Sequence, residues 1–366
     1  MKKQLIIAAV AATMASVSQA GISITGDSYF SYANNAIGYD DTRTDFDKNV
    51  DSQRVRLKVV GTTGATKVTA VIRNDGVTRA DRGSTDATNT KGALHMDSLY
   101  IMTKAGRFNI KAGDYWGTVG LGARSKGVAK TNAISLSAKV GPATLGVFTS
   151  GDDGHSTNVN ASAKVKGVAI KATINPKRFA NLSVKGAFKG ITGALDLYLD
   201  RSTDGNGGEE KKNNTTLIHV GGKFRSVQFD VASISNKKAY SKDDDKYDDK
   251  NEDENAKFAP LGSMLIGKAA RGGTATAVAN VGQFTSIVGV AVSTKLLGNT
   301  VKGIYSSSKM PVVGFSEEKV TGIELIVTRP LGGAKLTANF GKFSGFSDRL
   351  KVMNASNKGL RLDVKF

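Results

Sequence analysis

The chain has 366 residues, a formal net charge of +19 at pH 7, 42 glycines, 5 prolines and no cysteine. The absence of cysteine excludes a fold that depends on disulfides, and no run of about 20 apolar residues predicts a membrane-spanning helix. The basic balance points to anionic partners, such as nucleic acid, phosphate groups or small anions.

Residues 1–20 have the pattern of a secretory signal peptide. Lys2 and Lys3 precede an apolar run from Leu5 to Ala12, and a small-residue stretch ends at Ala20. This order predicts export and cleavage before Gly21. An exported protein seldom meets nucleic acid as its main partner, so small anions, polyanions and the phosphates of lipopolysaccharide are the expected partners.

Residues 21–366 read as one domain built from paired strands of about 10 residues, the length that a tilted barrel strand requires. In the second strand, for example, Val55, Leu57 and Val59 alternate with basic residues. Short turns alternate with longer polar loops, among them 35–50, 117–130 and 239–280. A count of about 18 strands predicts an all-β fold, a transmembrane antiparallel β-barrel of 16–18 strands.

The last strand, Gly359 to Phe366, has one apolar face and one charged face. Its apolar face consists of Leu360, Leu362, Val364 and Phe366, and its charged face of Arg361, Asp363 and Lys365. Backbone groups inside a membrane need partners on both sides of a strand, so we expect this strand to close a barrel.

Several segments resemble the Gram-negative outer-membrane general porins. Residues 97–117 are similar to the porin hairpin before the loop that folds into the pore, and residues 131–153 to the next hairpin. Residues 327–345 are similar to a hairpin near the end of the family, and the closing strand ends in Phe as porins do. The resemblance implies a homotrimeric β-barrel porin in which residues 117–130 fold inward as a constriction loop.

This chain departs from the porin pattern in two respects. The loop 117–130 carries Arg124, Lys126 and Lys130 but no acidic residue, whereas family members usually place acids there. The commonest barrel of the family has 16 strands, one hairpin fewer than the count for this chain.

If the aliphatic residues face lipid, the basic residues between them face the lumen, since side chains alternate along a strand. The pore-lining candidates are Arg54, Arg56, Lys58, Arg73 and Lys111, with Arg124 and Lys126 on the loop. Asp196 and Glu324 are the clearest inward acids. A positive lumen raises the local concentration of anions, which predicts a passive pore with anion preference. Alternatively, many of the lysines lie at strand ends and bind lipopolysaccharide phosphates.

The longest loop, 239–280, contains an acidic cluster with eight carboxylates between Asp243 and Glu254. It lacks the glycine and ligand spacing of an EF-hand, so a solvated surface loop is expected. Trp116 ends its strand on the loop side and is expected in the aromatic girdle at the membrane interface.

No motif indicates an enzyme or a cofactor. His95, His155 and His219 are scattered, and no GxSxG, HExxH or cysteine nucleophile is present. Three alternatives to a pore stay open. They are an adhesin or structural barrel that uses the acidic loop for recognition, an outer-membrane barrel enzyme, and a soluble exported β-protein.

Overall fold

The computed structural model describes residues 21–39, 46–75, 94–117, 119–121, 128–150, 156–200, 214–237, 286–310, 318–344 and 352–366. The signal peptide expected at 1–20 and the loop 239–280 with its acidic cluster lie outside these residues. Within the described ranges, no helix is long and apolar enough to cross a membrane.

Eighteen strands form one antiparallel sheet, which confirms the predicted fold class and the strand count. The strands are β1 Gly21–Tyr39, β2 Phe46–Thr63, β3 Thr66–Asp75, β4 His95–Ala105, β5 Phe108–Gly117, β6 Val128–Val140, β7 Ala143–Ser150, β8 Ser156–Val165, β9 Val168–Asn175, β10 Phe179–Phe188, β11 Ile191–Asp200, β12 Asn214–Phe224, β13 Val227–Lys237, β14 Ser286–Leu296, β15 Asn299–Met310, β16 Glu318–Leu331, β17 Ala334–Ser344 and β18 Val352–Lys365.

The sheet is closed because β1 pairs with both β2 and β18. Asp27 lies opposite Arg56 on one side and opposite Lys365 on the other. At this seam the backbones of Gly26 and Phe366 exchange two hydrogen bonds, of 2.6 and 3.0 Å. A side chain at position 26 would overlap the ring of Phe366, so glycine at this position leaves room for the ring where it lies. Closure leaves no open sheet edge, as a barrel in lipid requires.

Two-residue turns join the strands along one rim of the barrel, at the places where the sequence predicts tight turns. Each of these turns begins with a residue in the left-handed region, and in four of them that residue is not glycine: Lys166, Lys189, Arg225 and Leu297. On the opposite rim, the short turn at residues 176–178 is fixed by the side chain of Asn175. This side chain accepts hydrogen bonds of 3.1 Å from the backbone N–H groups of residues 177 and 178.

The loop predicted at 35–50 is too long. β1 continues to Tyr39 and β2 begins at Phe46, with Asn34 paired to Asn49 and Asn35 to Lys48. This segment lacks the alternation of apolar and polar residues that marks a strand half-embedded in lipid. Backbone pairing extends the two strands past the point where the alternation ends.

The outward face of the barrel is apolar and the inward face is largely polar. Ile24, Leu99 and Ile134 are 64%, 47% and 57% exposed on the outside. In β6, Leu136 lies between the outward residues Ile110 and Val147, while the next residue, Ser137, lies between the inward residues Asn109 and Gly146. Because the side-chain period is two, a slip of one residue would expose every polar side chain to lipid.

We therefore predict opposite outcomes for arginine at two adjacent positions of β6. Leu136→Arg should lower the free energy of unfolding in lipid vesicles by about 2–4 kcal/mol, because the charge enters the hydrocarbon. Ser137→Arg, the matched control, should cost much less, because its charge enters the lumen. Denaturant unfolding in vesicles measures both values, and equal losses would contradict the inward and outward assignment.

Candidate functional site

The contact between residues 119–121 and β10–β11 identifies the inner face of the barrel. The backbone N–H of Leu121, which follows β5, donates a 2.9 Å hydrogen bond to Asp196 Oδ2 on β11. Three strands, β7–β9, separate the β5–β6 pair from β10, so this short stretch reaches β11 through the lumen. Asp196 therefore faces inward, and the strand register carries this assignment around the barrel.

The predicted pore-lining residues of the strands all lie on this inner face. The register aligns Arg54 with Tyr29, Arg56 with both Asp27 and Arg73, and Lys58 with Thr25. Lys111 on β5 is paired with Met102 on β4, and Met102 is paired on its other side with Lys67 on β3, so Lys111 shares the face of Lys67. The other two candidates, Arg124 and Lys126, lie outside the described residues.

Three aspartates neutralise part of this basic wall. Arg54 Nη2 lies 3.0 Å from Asp27 Oδ1, and Arg56 donates to Asp27 Oδ2 from Nε at 2.9 Å and also from Nη2. Arg73 Nη1 donates to Asp97 Oδ1 at 2.8 Å. On β18, Arg361 Nε donates to Asp363 at 2.9 and 3.0 Å.

Arg54 is buried and contacts an aromatic ring, so it is not exposed to the lumen. Its residue is only 9% exposed, and its guanidinium lies 4.9 Å from the centre of the Tyr29 ring. Arg361, at 7% exposed, lies 3.9 Å from the same ring. Tyr29 on β1 is thus in cation–π contact with an arginine from each neighbouring strand, which ties β18, β1 and β2 together at the barrel seam.

A cavity of about 770 Å³ lies along the wall formed by β18 and β1–β5. Its side chains include Asp27, Arg56, Lys58, Asp97, Tyr100, Lys111, Tyr115, Trp116 and Lys365. Lys111 Nζ lies 4.1 Å from the ring centre of Tyr100 and 3.4 Å from that of Tyr115. The cavity thus combines cations with aromatic faces.

Trp116, which the sequence predicts in the interfacial girdle, is 52% exposed at the end of β5. Its indole Nε1 donates a 3.2 Å hydrogen bond to Asp97 Oδ1, the same oxygen that accepts from Arg73. Trp116 therefore belongs to the wall of the cavity. The partner of Trp116, Asp97, is the extra residue at the irregularity in the β3–β4 pairing, and simple alternation cannot reveal the direction of such a side chain.

Three cations of the cavity have no carboxylate partner among the described residues: Lys58, Lys111 and Lys365. They differ in this from Arg54, Arg56, Arg73 and Arg361, each of which is paired with an aspartate. The unpaired lysines are consequently the groups that a dissolved anion meets in this cavity.

Part of the inner face on β12–β16 is apolar and buried. Six residues, each 1–5% exposed, form a row across β12–β16: Leu217, Ile234, Ile287, Ala291, Ile304 and Ile326. These six apolar side chains are covered from water, whereas the cavity of about 770 Å³ lies along the basic wall.

The two inward acids predicted from the sequence do not face open water. Asp196 is 1% exposed and accepts hydrogen bonds from Leu121, Asn181 and Ser183, while Glu324 is 7% exposed. Asp27, Asp97 and Asp363 are the acids of the basic wall. Asp27 lies in the alternating pattern of β1, and this pattern could have identified it as an inward residue. Asp97 lies beside an irregularity in the β3–β4 register, so alternation does not reveal its direction.

Within the described ranges, no group of three or more His, Cys, Asp or Glu side chains has the arrangement of a metal site. On the inner wall, His219 Nε2 lies 3.1 Å from Asp230 Oδ1, and these two side chains form a pair and not a group of three. The cavity presents lysine ammonium groups, the Arg56 guanidinium and aromatic rings, together with the carboxylates of Asp27 and Asp97.

Comparison with known proteins finds similar structures but no similar sequences. No family model matches the chain, and no curated protein matches it. Among solved structures, Pseudomonas aeruginosa OccK9 (OpdG) aligns with a TM-score of 0.64 and 10% identity, over 94% of this chain and 98% of that one. P. aeruginosa OccD3 (OpdP) aligns with 0.62 and 12% over 94% and 91%, and Acinetobacter baumannii OccAB2 with 0.60 and 12% over 94% and 98%. The chain thus has the closed 18-stranded β-barrel fold of Gram-negative outer-membrane porins.

Proposed function

We propose that this protein is a passive diffusion channel of the bacterial outer membrane for small hydrophilic solutes, and that it prefers anions. The observation that carries the proposal is the cavity of about 770 Å³ in the lumen wall, where Lys58, Lys111 and Lys365 have no carboxylate partner among the described residues. Solutes would move down their own gradients without any chemical step.

The anion preference follows from elementary electrostatics. Fixed positive charge in a narrow lumen with low-dielectric walls concentrates anions and repels cations. Three aspartates of the wall offset three of the four arginine charges, because Arg54 and Arg56 share Asp27, so most of the remaining positive charge in the cavity comes from the three lysines. The buried apolar residues of β12–β16 offer little water-exposed surface, which favours a solute path close to these charges.

Small carboxylates are the solutes that we expect to benefit most, with phosphate and chloride as simpler alternatives. Carboxylates bind ammonium groups through charge-assisted hydrogen bonds. One structure of the same fold, P. aeruginosa OccK2 (OpdF), is described as a complex with glucuronate, itself a carboxylate; it aligns with a TM-score of 0.57 and 8% identity over 94% of this chain and 98% of that one. This likeness extends to the fold, and the charge of the cavity supplies the argument for the present chain.

The proposal includes the setting of the channel. We infer export through the signal peptide at 1–20, insertion in the outer membrane among lipopolysaccharide, and a homotrimer in which apolar outer walls pack together. The exposed apolar residues on the outside of the barrel support a lipid environment. We propose neither an enzymatic reaction nor a cofactor.

The first prediction concerns ion selectivity in a planar bilayer. Under a KCl gradient, the zero-current potential should have the sign of a chloride-selective pore, because the cavity lysines attract chloride. Lys58→Gln combined with Lys111→Gln should move the potential toward zero. Lys189→Gln is the matched control, because Lys189 lies on a turn beside Phe188, outside the cavity, and it should leave the potential unchanged.

Two outcomes would contradict the proposal. A potential of the potassium sign would mean that other charges, such as the acidic cluster at 243–254, control the lumen. No conductance from a correctly folded barrel would exclude a channel and favour an adhesin or structural barrel.

The second prediction concerns solute flux. A carboxylate that passes about 4 Å from Lys58 gains about 1 kcal/mol in water-like surroundings, which is roughly a fivefold increase in its local concentration. Lys58→Gln should therefore slow carboxylate entry into proteoliposomes by up to about fivefold and leave a neutral sugar of similar size unaffected. Equal slowing of both solutes would indicate a steric effect instead of an electrostatic one.

A further inference from the structure

The stretch Val119–Leu121 is held on the far wall of the lumen by one buried carboxylate. Asp196 Oδ2 accepts the backbone N–H of Leu121 at 2.9 Å. Asp196 Oδ1 accepts from Asn181 Nδ2 at 2.7 Å and from Ser183 Oγ at 2.9 Å. The same Asn181 amide group also donates to the carbonyl of Leu197 at 2.9 Å, which fixes its orientation.

The carboxylate lies in a dry environment. Asp196, Asn181 and Ser183 are 1%, 3% and 2% exposed, and Leu217, directly opposite Asp196 on β12, is 1% exposed. Without competing water, each hydrogen bond to the carboxylate is stronger than it would be in the open lumen. Asp196 is therefore too deeply covered to act on passing ions as an exposed charge, but it is well placed to hold a backbone amide.

Gly120 allows the close approach between this stretch and the wall. Its backbone has φ of +59°, in the left-handed region, and a side chain at this position would overlap the carboxylate of Asp196 and the amide of Asn181. Two independent features, an acceptor on the wall and a missing side chain on the loop, thus meet at one point.

We propose that Asp196 is a positioning residue, which anchors the chain after β5 across the lumen and so sets the width of the water path along the basic wall. Its effect on solute passage rests on the channel function proposed above. The anchor itself is a property of the fold and is testable without any conductance. The role depends on an acceptor oxygen and not on the negative charge.

Asp196→Asn and Asp196→Leu separate these two roles. Asparagine has nearly the same shape and retains one acceptor oxygen for Leu121, although its amide group loses the hydrogen bond from Asn181. Leucine branches at the same atom but is larger and has no acceptor. We expect Asp196→Asn to stay closer to the wild-type single-channel conductance than Asp196→Leu. Asp196→Leu should show a larger conductance and greater open-channel current noise, because the stretch is released from the wall.

Glycine substitutions give a second test that leaves the wall intact. Gly120→Ala should reproduce the conductance and noise of Asp196→Leu, because its methyl group overlaps the carboxylate. Gly106→Ala is the matched control, since Gly106 has a similar φ of +57° but nothing within 4 Å of the added carbon. It carries the same backbone strain without touching the wall, and its conductance should equal that of the wild type.

Hydrogen exchange at the Leu121 amide tests the anchor even if the protein conducts nothing. The amide should exchange slowly in the wild type, Asp196→Asn and Gly106→Ala, and much faster in Asp196→Leu and Gly120→Ala. Equal behaviour of Asp196→Asn and Asp196→Leu, or of Gly120→Ala and Gly106→Ala, would overturn the proposal. An absence of conductance together with the expected exchange pattern would count against the channel function and leave the anchor supported.

Discussion

The structure depends on the pairing of its first and last strands. In hydrocarbon a backbone group without a partner costs several kcal/mol, so β1 and β18 must meet. Their register from Asp27–Lys365 onward determines which side chains of both strands face inward. Tyr29, placed between Arg54 and Arg361, adds side-chain contacts to the backbone pairing at this seam. Once the seam is set, the period of two determines the inner face of every other strand.

The inner face has two unlike regions, and this difference underlies the proposed selectivity. Apolar residues from Leu217 on β12 to Ile326 on β16 are buried. Lysines and aromatic rings surround a cavity on the other side, where arginines are already paired with aspartates. The arginines of the seam act mainly in stability, whereas the lysines remain available to solutes. In the proposed channel, the buried apolar region and the lysines would together bring solutes near positive charge.

The sequence predicts the architecture better than the site, for a physical reason. Alternation in segments such as Arg54–Val59 reports which face a side chain occupies, and short turns report where strands reverse, so the 18 strands could be counted. Neither signal reports what covers an inward residue. Asp196 was predicted as a lumen charge, but a loop amide 75 residues away covers it. Trp116 and Asp97 lie beside irregularities in register, and their contact depends on a backbone shift that no local pattern encodes.

The most direct test of this account is the accessibility of single cysteines, which the natural cysteine-free chain makes clean. Lys58→Cys lies on the basic wall, and Ile287→Cys lies in the buried apolar row, where the native residue is 3% exposed. With the protein in vesicles, a charged, water-soluble thiol reagent should modify the cysteine at 58 much faster than the one at 287. Equal rates, or faster reaction at 287, would show that water fills the lumen evenly and would contradict a solute path along the basic wall.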